Sequence, residues 1–310
     1  MSEADRTLRL GTRGSPLARW QAEWIAERLR SEAGCDVELL VVKTTAEKFP
    51  EQHLASMGSG IFTKELDDAL LKGNIDLAVH SLKDVPSQHH EDLHIAAVPE
   101  RESPWDAFIS RDGVKIEQIP KGATIGTSSP RRQAQLLAHR ADLKVVPLRG
   151  NVQTRLRRVS ELGLAGTILA HAGLKRLGRE ELISELFDST VLVPAVAQGA
   201  LAVMTRIDDT PVLNAVRPLD HAPSRIRISA ERAYLRRLRG GCQVPAGALA
   251  EFDDQSGVLK LVGALAAPDG SRCLRGTHTG DAKSAEEIGT KLAGELLDQG
   301  GEEIITAMRS

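Results

Sequence analysis

The chain has 310 residues, with 41% hydrophobic, 26% charged and only 3% aromatic. At about 150 residues per domain this predicts two or three globular domains with aliphatic cores, and it excludes a platform of stacked rings for single-stranded nucleic acid. The net charge of −2 is unevenly spread: residues 126–158 carry +7 and residues 225–239 carry +5, leaving −14 elsewhere. An acidic chain with two arginine-rich islands is not a general DNA binder, and points instead to a small polyanionic ligand, with solvated helix faces as the alternative.

The first residues, Met1-Ser2-Glu3-Ala4-Asp5-Arg6, form no apolar targeting segment, and no apolar run approaches the roughly 18 residues of a membrane span. A cytoplasmic protein without a membrane partner is expected. Thr7–Leu10 reads as a strand, followed by the loop Arg13-Gly14-Ser15 and a helix from about Leu17 that stops before Gly34. Val37–Thr44 is a β-branched strand. Residues 45–60 are polar and aperiodic, with Gly58-Ser59-Gly60 marking a mobile loop. Thr63–Leu71 reads as helix, and Ile75–His80 and His94–Val98 as strands. Strands alternating with helices imply a parallel α/β sheet.

A proline-bounded linker at residues 99–104 precedes a second alternation. Ala107–Ser110, Ala123–Gly126, Lys144–Leu148 and Gly166–Ala170 are strands. Helices open at Ser129-Pro130 and run over Val152–Ser160. Residues 194–199 form a second crossing and Ala200–Arg206 returns as a strand. Two α/β units joined by two crossings are similar to the hinged layout of periplasmic-type binding proteins, with ligand in the cleft.

The last third changes character. Ala222–Leu238 is a basic amphipathic helix. Ala248–Phe252, Val258–Ala266 and Ser271–Thr279 are strands joined by short turns, hence antiparallel. Ser284 and Glu287 predict a capping box for a helix to about Leu297. The expected domains are 1–99 with 200–217, 100–199, and a small α+β domain at 218–310. No internal repeat is visible.

Three places offer an arginine-bearing seat for an anion where a strand runs into a helix: Arg13-Gly14-Ser15, Thr127-Ser128-Ser129 with Arg131 and Arg132, and Arg149-Gly150 with Arg155 one turn on. Ser and Asn caps leave free backbone N–H groups there, although such caps also occur without ligands. Asp84, in Ser81-Leu82-Lys83-Asp84, is either a turn former or a carboxylate at a strand end facing the ligand. Cys242 lies on a glycine-flanked loop after the +5 helix, where arginines favour a thiolate; an inert core cysteine is the alternative. Cys35 and Cys273 lack such a setting. Three cysteines cannot all pair, and the absence of CxxC or HExxH argues against a disulfide framework or a metal site.

Taken together, residues 13–18, 61–66, 78–86, 126–132, 148–155, 172–177, 198–200, 230–232 and 240–245 resemble the porphobilinogen deaminase (hydroxymethylbilane synthase) family. The resemblance implies a transferase that condenses four porphobilinogen molecules head to tail, releasing ammonia, and then frees linear hydroxymethylbilane. It implies a monomer without a metal or nucleic acid, with a dipyrromethane cofactor attached by a thioether to Cys242. Asp84 becomes the catalytic carboxylate, stabilising an azafulvene cation. Asp84, Lys83, Thr127, Ser128, Ser129, Arg131, Arg132, Arg149 and Gly150 would hold cofactor. Arg13, Ser15, Gln21, Phe62, Arg149, Arg155, Arg176 and Gln198 would hold substrate. The sequence departs from the family at Met57-Gly58-Ser59-Gly60, which lacks a lid lysine, at residues 44–47, at Ala197 in place of glycine, and at Met204 in place of an acid. A non-catalytic carboxylate sensor on the same scaffold is the competing expectation.

Overall fold

The computed structural model describes residues 7–43, 63–239 and 244–308. In chain order they form β1 (Leu8–Thr12), α1 (Pro16–Ala33), β2 (Val37–Val41), α2 (Lys64–Leu71), β3 (Leu77–Ser81), β4 (Leu93–Ala97), β5 (Asp106–Ser110), β6 (Thr124–Gly126), α3 (Pro130–His139), β7 (Lys144–Val146), α4 (Val152–Glu161), β8 (Gly166–Ala170), α5 (His171–Arg176) and β9 (Glu185–Phe187). Then follow β10 (Leu201–Arg206), α6 (Thr210–Val216), α7 (Ala222–Arg237), β11 (Ala246–Asp253), β12 (Val258–Ala266), β13 (Cys273–Asp281), α8 (Ala285–Leu296) and α9 (Glu302–Ala307).

The chain divides into two compact units, residues 1–102 with 199–225, and residues 103–198 with 226–310. The first holds a five-stranded sheet in the order β2-β1-β3-β10-β4. Leu8, Leu10, Leu77, Val79 and Val203 of this sheet pack against Ile25 and Leu29 of α1 in one aliphatic core. Trp20 and Trp24 stack on each other, ring centroids 6.4 Å apart, and Trp24 is only partly buried against that core. The helix thus buries its small and branched residues and keeps its indoles on the flank.

The second unit holds the sheet β7-β6-β8-β5-β9 and the three-stranded antiparallel sheet β11-β12-β13. Phe108 and Phe187 anchor the core beneath the former. Tyr234 of α7 is fully buried, and its hydroxyl donates to the Ala264 carbonyl of β12 at 2.9 Å. Gly289 of α8 allows the close packing of α7, since a Cβ there would stand 2.1 Å from the Ala230 carbonyl.

Two expectations are corrected. The five-stranded sheets are mixed: β10 runs antiparallel to β3 and β4, and β5 antiparallel to β8 and β9. Each of these strands follows a crossing segment instead of a helix, so the right-handed βαβ crossover that enforces parallel pairing is missing. The capping box also does not form. Residues 282–284 make a 3₁₀ turn that runs straight into α8, so Asp281 caps that turn by accepting from the Lys283 N–H, and the Ser284 side chain caps nothing.

Candidate active site

In the first unit, the site is built where β1 and β3 end. Ser15 caps α1, its Oγ accepting from the Ala18 N–H at 3.3 Å, with Pro16 preset for the first turn. The Thr12 hydroxyl donates to the Ala18 carbonyl at 3.0 Å, fixing the loop that carries Arg13. One turn on, Gln21 is buried and its Nε2 donates to Ser81 Oγ at 2.9 Å, tying α1 to the end of β3. After Ser81 the chain makes a 3₁₀ turn, Leu82–Asp84, with Leu82 buried beneath it and Lys83 and Asp84 half-buried above. Arg13, Ser15, Gln21, His80, Ser81 and Asp84 line a single pocket. Within it Asp84 has no hydrogen bond or ion pair to any described residue.

His80 was not singled out by sequence reasoning, because a histidine inside an apolar strand reads as core filling. Its side chain is 5% exposed, and burial, with the charge of Arg13, pushes its pKa down to about 4. The imidazole therefore stays neutral.

In the second unit, Thr127, Ser128 and Ser129 follow β6 and open α3. The Ser129 N–H donates to Thr127 Oγ1 at 3.2 Å, and Ser129 Oγ accepts from the Arg132 N–H at 3.4 Å. Arg131 and Arg132 point inward, each 5% exposed, and share a carboxylate that the sequence did not reveal, Asp106 of β5. Arg131 reaches Asp106 Oδ2 at 2.7 Å and the Val193 carbonyl at 2.9 Å; Arg132 reaches Asp106 Oδ1 through Nε at 2.9 Å and the Ile168 carbonyl at 2.9 Å. Burial acts to raise the Asp106 pKa, but the two guanidiniums beside it win and hold it well below the carboxylate range. Two cations on one anion leave the cluster one positive charge in excess, next to the N-terminus of a ten-residue helix.

Gln198 is fully buried, and its Nε2 donates to the Pro104 carbonyl at 2.7 Å, the Trp105 carbonyl at 3.3 Å and Asp106 Oδ1 at 3.1 Å. Its described contacts bind chain to chain. Arg149 and Gly150 precede Asn151, whose Oδ1 accepts from the Thr154 N–H at 2.9 Å and caps α4. Gly150 sits at φ +115°, and a Cβ there would meet Thr154 Cγ2 at 2.6 Å, so only glycine makes this turn. Arg155 leans back so that its Nε donates to the Gly150 carbonyl at 2.8 Å, which holds the guanidinium over the loop. Arg176 closes α5, half-buried, at the same C-terminal edge of the sheet as β8. Phe62, Cys242, the lid residues 57–60 and the altered stretch 44–47 lie outside the described residues. Among the described residues no cluster of His, Cys, Asp and Glu is placed to hold a metal, and no helix is long and apolar enough to cross a membrane.

The donor set of the second unit fits a polycarboxylate. It offers two capped helix starts, hydroxyls at 127–129, half-buried Arg149 and Arg155, and a buried cluster with surplus positive charge. A dipyrromethane, with an acetate and a propionate on each ring, has complementary charge. The fold is that of an α/β protein whose second unit carries a donor set complementary to a multiply carboxylated ligand, while the first unit presents a carboxylate, Asp84, that no described residue pairs.

Comparison with known proteins names that class more closely. Residues 8–214 match the family described as porphobilinogen deaminase, dipyromethane cofactor binding domain, and residues 225–298 match porphobilinogen deaminase, C-terminal domain. A porphobilinogen deaminase of Pelotomaculum thermopropionicum is 45% identical over 98% of this chain and 97% of its own. One of Desulforudis audaxviator is 47% identical over 98% of this chain and 99% of its own. The chain belongs to the porphobilinogen deaminase family. Solved structures lie further off: a periplasmic substrate-binding protein of an ABC transporter from Coxiella burnetii is 17% identical, with a TM-score of 0.44 over 70% of this chain and 93% of its own.

Proposed function

We propose that this chain catalyses the reaction of its family with Asp84 as the catalytic carboxylate, Cys242 as the cofactor anchor and the arginine seats as carboxylate receptors. It is a transferase that joins four porphobilinogen molecules head to tail into hydroxymethylbilane. The observation that carries the residue assignment is the Asp84 carboxylate, unpaired among the described residues in a pocket that also presents Arg13, Ser15 and Gln21.

At each addition the aminomethyl C–N bond of porphobilinogen breaks and ammonia leaves. A C–C bond then forms to the free α-carbon of the growing chain, which gives up its proton. Positive charge collects on the pyrrole nitrogen meanwhile, and the Asp84 carboxylate is placed to stabilise it and accept its N–H hydrogen bond. Arg13, Ser15 and Gln21 orient the incoming acetate and propionate groups, with Arg149, Arg155 and Arg176 taking those of the growing chain. A dipyrromethane bound through Cys242 supplies the pyrrole on which the chain starts. Lys83, Thr127, Ser128, Ser129 and Gly150 would hold its carboxylates. Arg131 and Arg132 act through their surplus charge, since Asp106 occupies much of their hydrogen-bonding capacity. Gln198 and Asp106 keep that cluster in place. Phe62 covers the rings.

The burial of Cys35, with Asp36 beside it, pushes its thiol pKa up, so it is a poorer thiolate than an exposed cysteine and supports the assignment to Cys242. We read the protein as a cytoplasmic monomer without a membrane partner, as its family membership suggests, and its two arginine islands in an otherwise acidic chain as receptors for a small anion and not for nucleic acid. We read the domains as 1–99 with 200–217, 100–199 and 218–310, the last carrying Cys242. Intact mass is the direct test. The purified protein should weigh two pyrrole units more than its sequence and consume porphobilinogen, whereas Cys242→Ser should show the bare mass and no consumption. A wild-type protein of bare mass, inert toward porphobilinogen, would leave the carboxylate-sensor reading in its place.

A further inference from the structure

His80 takes part in no step derived above, yet its place in the pocket is specific. It lies on the central strand β3 opposite Ala202 of β10. The imidazole is 5% exposed and lines the same pocket as Arg13, Ser15 and Asp84. Its Nε2 is buried without a hydrogen-bond partner. Packing alone does not explain this arrangement, since an aliphatic side chain would fill the strand position without stranding a polar atom.

The neighbourhood decides what would satisfy that nitrogen. Arg13 is near enough to bias the ring against protonation. A cationic partner, such as the aminomethyl ammonium of a substrate, would be repelled by the same guanidinium. An anion is attracted by it, and a neutral ring carrying its proton on Nε2 donates to an anion at no cost in charge. We propose that His80 Nε2–H donates to a carboxylate oxygen of porphobilinogen whose charge Arg13 neutralises, which makes His80 a substrate-selecting residue of this pocket. The inference rests on the reading of the pocket as the porphobilinogen site.

Two measurements on the holoenzyme separate the inference from that reading. In steady-state kinetics, His80→Leu should raise KM for porphobilinogen by about ten- to a hundredfold, as expected for a lost bond to a charged group, with kcat within about threefold. His80→Gln, which restores an N–H donor at similar reach, should recover most of that loss. A folded His80→Leu protein with KM within twofold of wild type overturns the inference. In wild-type protein labelled with ¹⁵N-histidine, the His80 ring signal, assigned by its loss in His80→Gln, should report the Nε2–H tautomer and move on addition of porphobilinogen. A signal that does not move overturns the inference even if His80→Leu fails to fold. If the wild type binds porphobilinogen and shifts this signal but never consumes it, the catalytic reading fails while the contact stands.

Discussion

Asp84 and Asp106 are both aspartates at the edge of a strand, and their surroundings give them opposite duties. Asp84 is half-buried and unpaired among the described residues, so its charge is available to a ligand and the fold does not depend on it. Asp84→Asn should therefore leave the unfolding midpoint within experimental error and cut kcat by two to three decades, the scale of one preorganised electrostatic contact; turnover within threefold of wild type would remove Asp84 from the chemistry. The sequence marked Asp84 because it follows a strand end within a dense motif. It could not mark Asp106, since the Arg131 and Arg132 that identify it lie 25 and 26 residues away and meet it only after folding. His80 adds a pH signature. Its folded pKa of about 4 lies below the ordinary 6.5, so the stability it contributes is present above about pH 6.5 and is lost as pH falls through 4. The stability advantage of wild type over His80→Gln should shrink by up to about 3 kcal/mol between pH 7 and pH 4, read from urea unfolding across that range. Asp67 of α2 works the other way in the same window, because burial lifts its carboxyl to about 6, and the comparison with His80→Gln cancels that contribution.

At the level of elements, three helix starts were legible, and a fourth, at Ser284, was not. Ser15, Ser129 and Asn151 cap as their spacing predicts, because capping is a contact over three residues and needs nothing distant. The end of the second crossing was legible only as a departure from the family. Ala197 adopts φ +61°, in the region that favours glycine, and is almost fully buried. Its N–H donates to Glu231 Oε2 at 2.7 Å, while Glu231 Oε1 accepts from the Ala250 N–H at 2.9 Å. One buried carboxylate on α7 thus holds a strained alanine and a strand of the C-terminal sheet together. Left-handed backbone costs a non-glycine residue about 1–2 kcal/mol, against about 0.5–1 kcal/mol for the extra freedom glycine gives the unfolded chain. Ala197→Gly should therefore raise folding stability by up to about 1 kcal/mol, measured as a higher midpoint in thermal unfolding; a lower midpoint would show that the alanine methyl packs better than its backbone suggests.

Across the whole molecule, the two five-stranded sheets share one strand order. Once the strand that follows each crossing is set apart, β2-β1-β3 matches β7-β6-β8, parallel with the earliest of the three in the middle, and β10 or β5 then lies antiparallel between this trio and the edge strand β4 or β9. The sequence showed no repeat, because topology is set by pairings between distant strands, and two sheets can keep one order with unrelated side chains. The alternation of strands and helices was enough to give two α/β sheets, but not the direction of β5 and β10. Both crossing segments are bolted at one point of the second unit, where Gln198 reaches Pro104, Trp105 and Asp106. Asp106→Asn removes the charge that two buried guanidiniums share and should cost about 3–5 kcal/mol, visible as a large drop in urea midpoint with loss of cofactor loading. An unchanged midpoint would mean that the two cations are solvated after all.

The position of β10 also sets a timetable. A ribosome delivers β3 and β4 long before residue 201, yet in the finished sheet β10 lies between them. Every strand of the β7-β6-β8-β5-β9 sheet has been made by residue 187. The later-begun sheet can therefore close first, while β3 and β4 wait with hydrogen-bonding edges unpaired, the reverse of the usual N-terminal-first order. A nascent chain arrested near residue 195 has made every strand of the second sheet, while the first sheet, which flanks Arg13 and Asp84, waits for a strand made more than a hundred residues after that arginine.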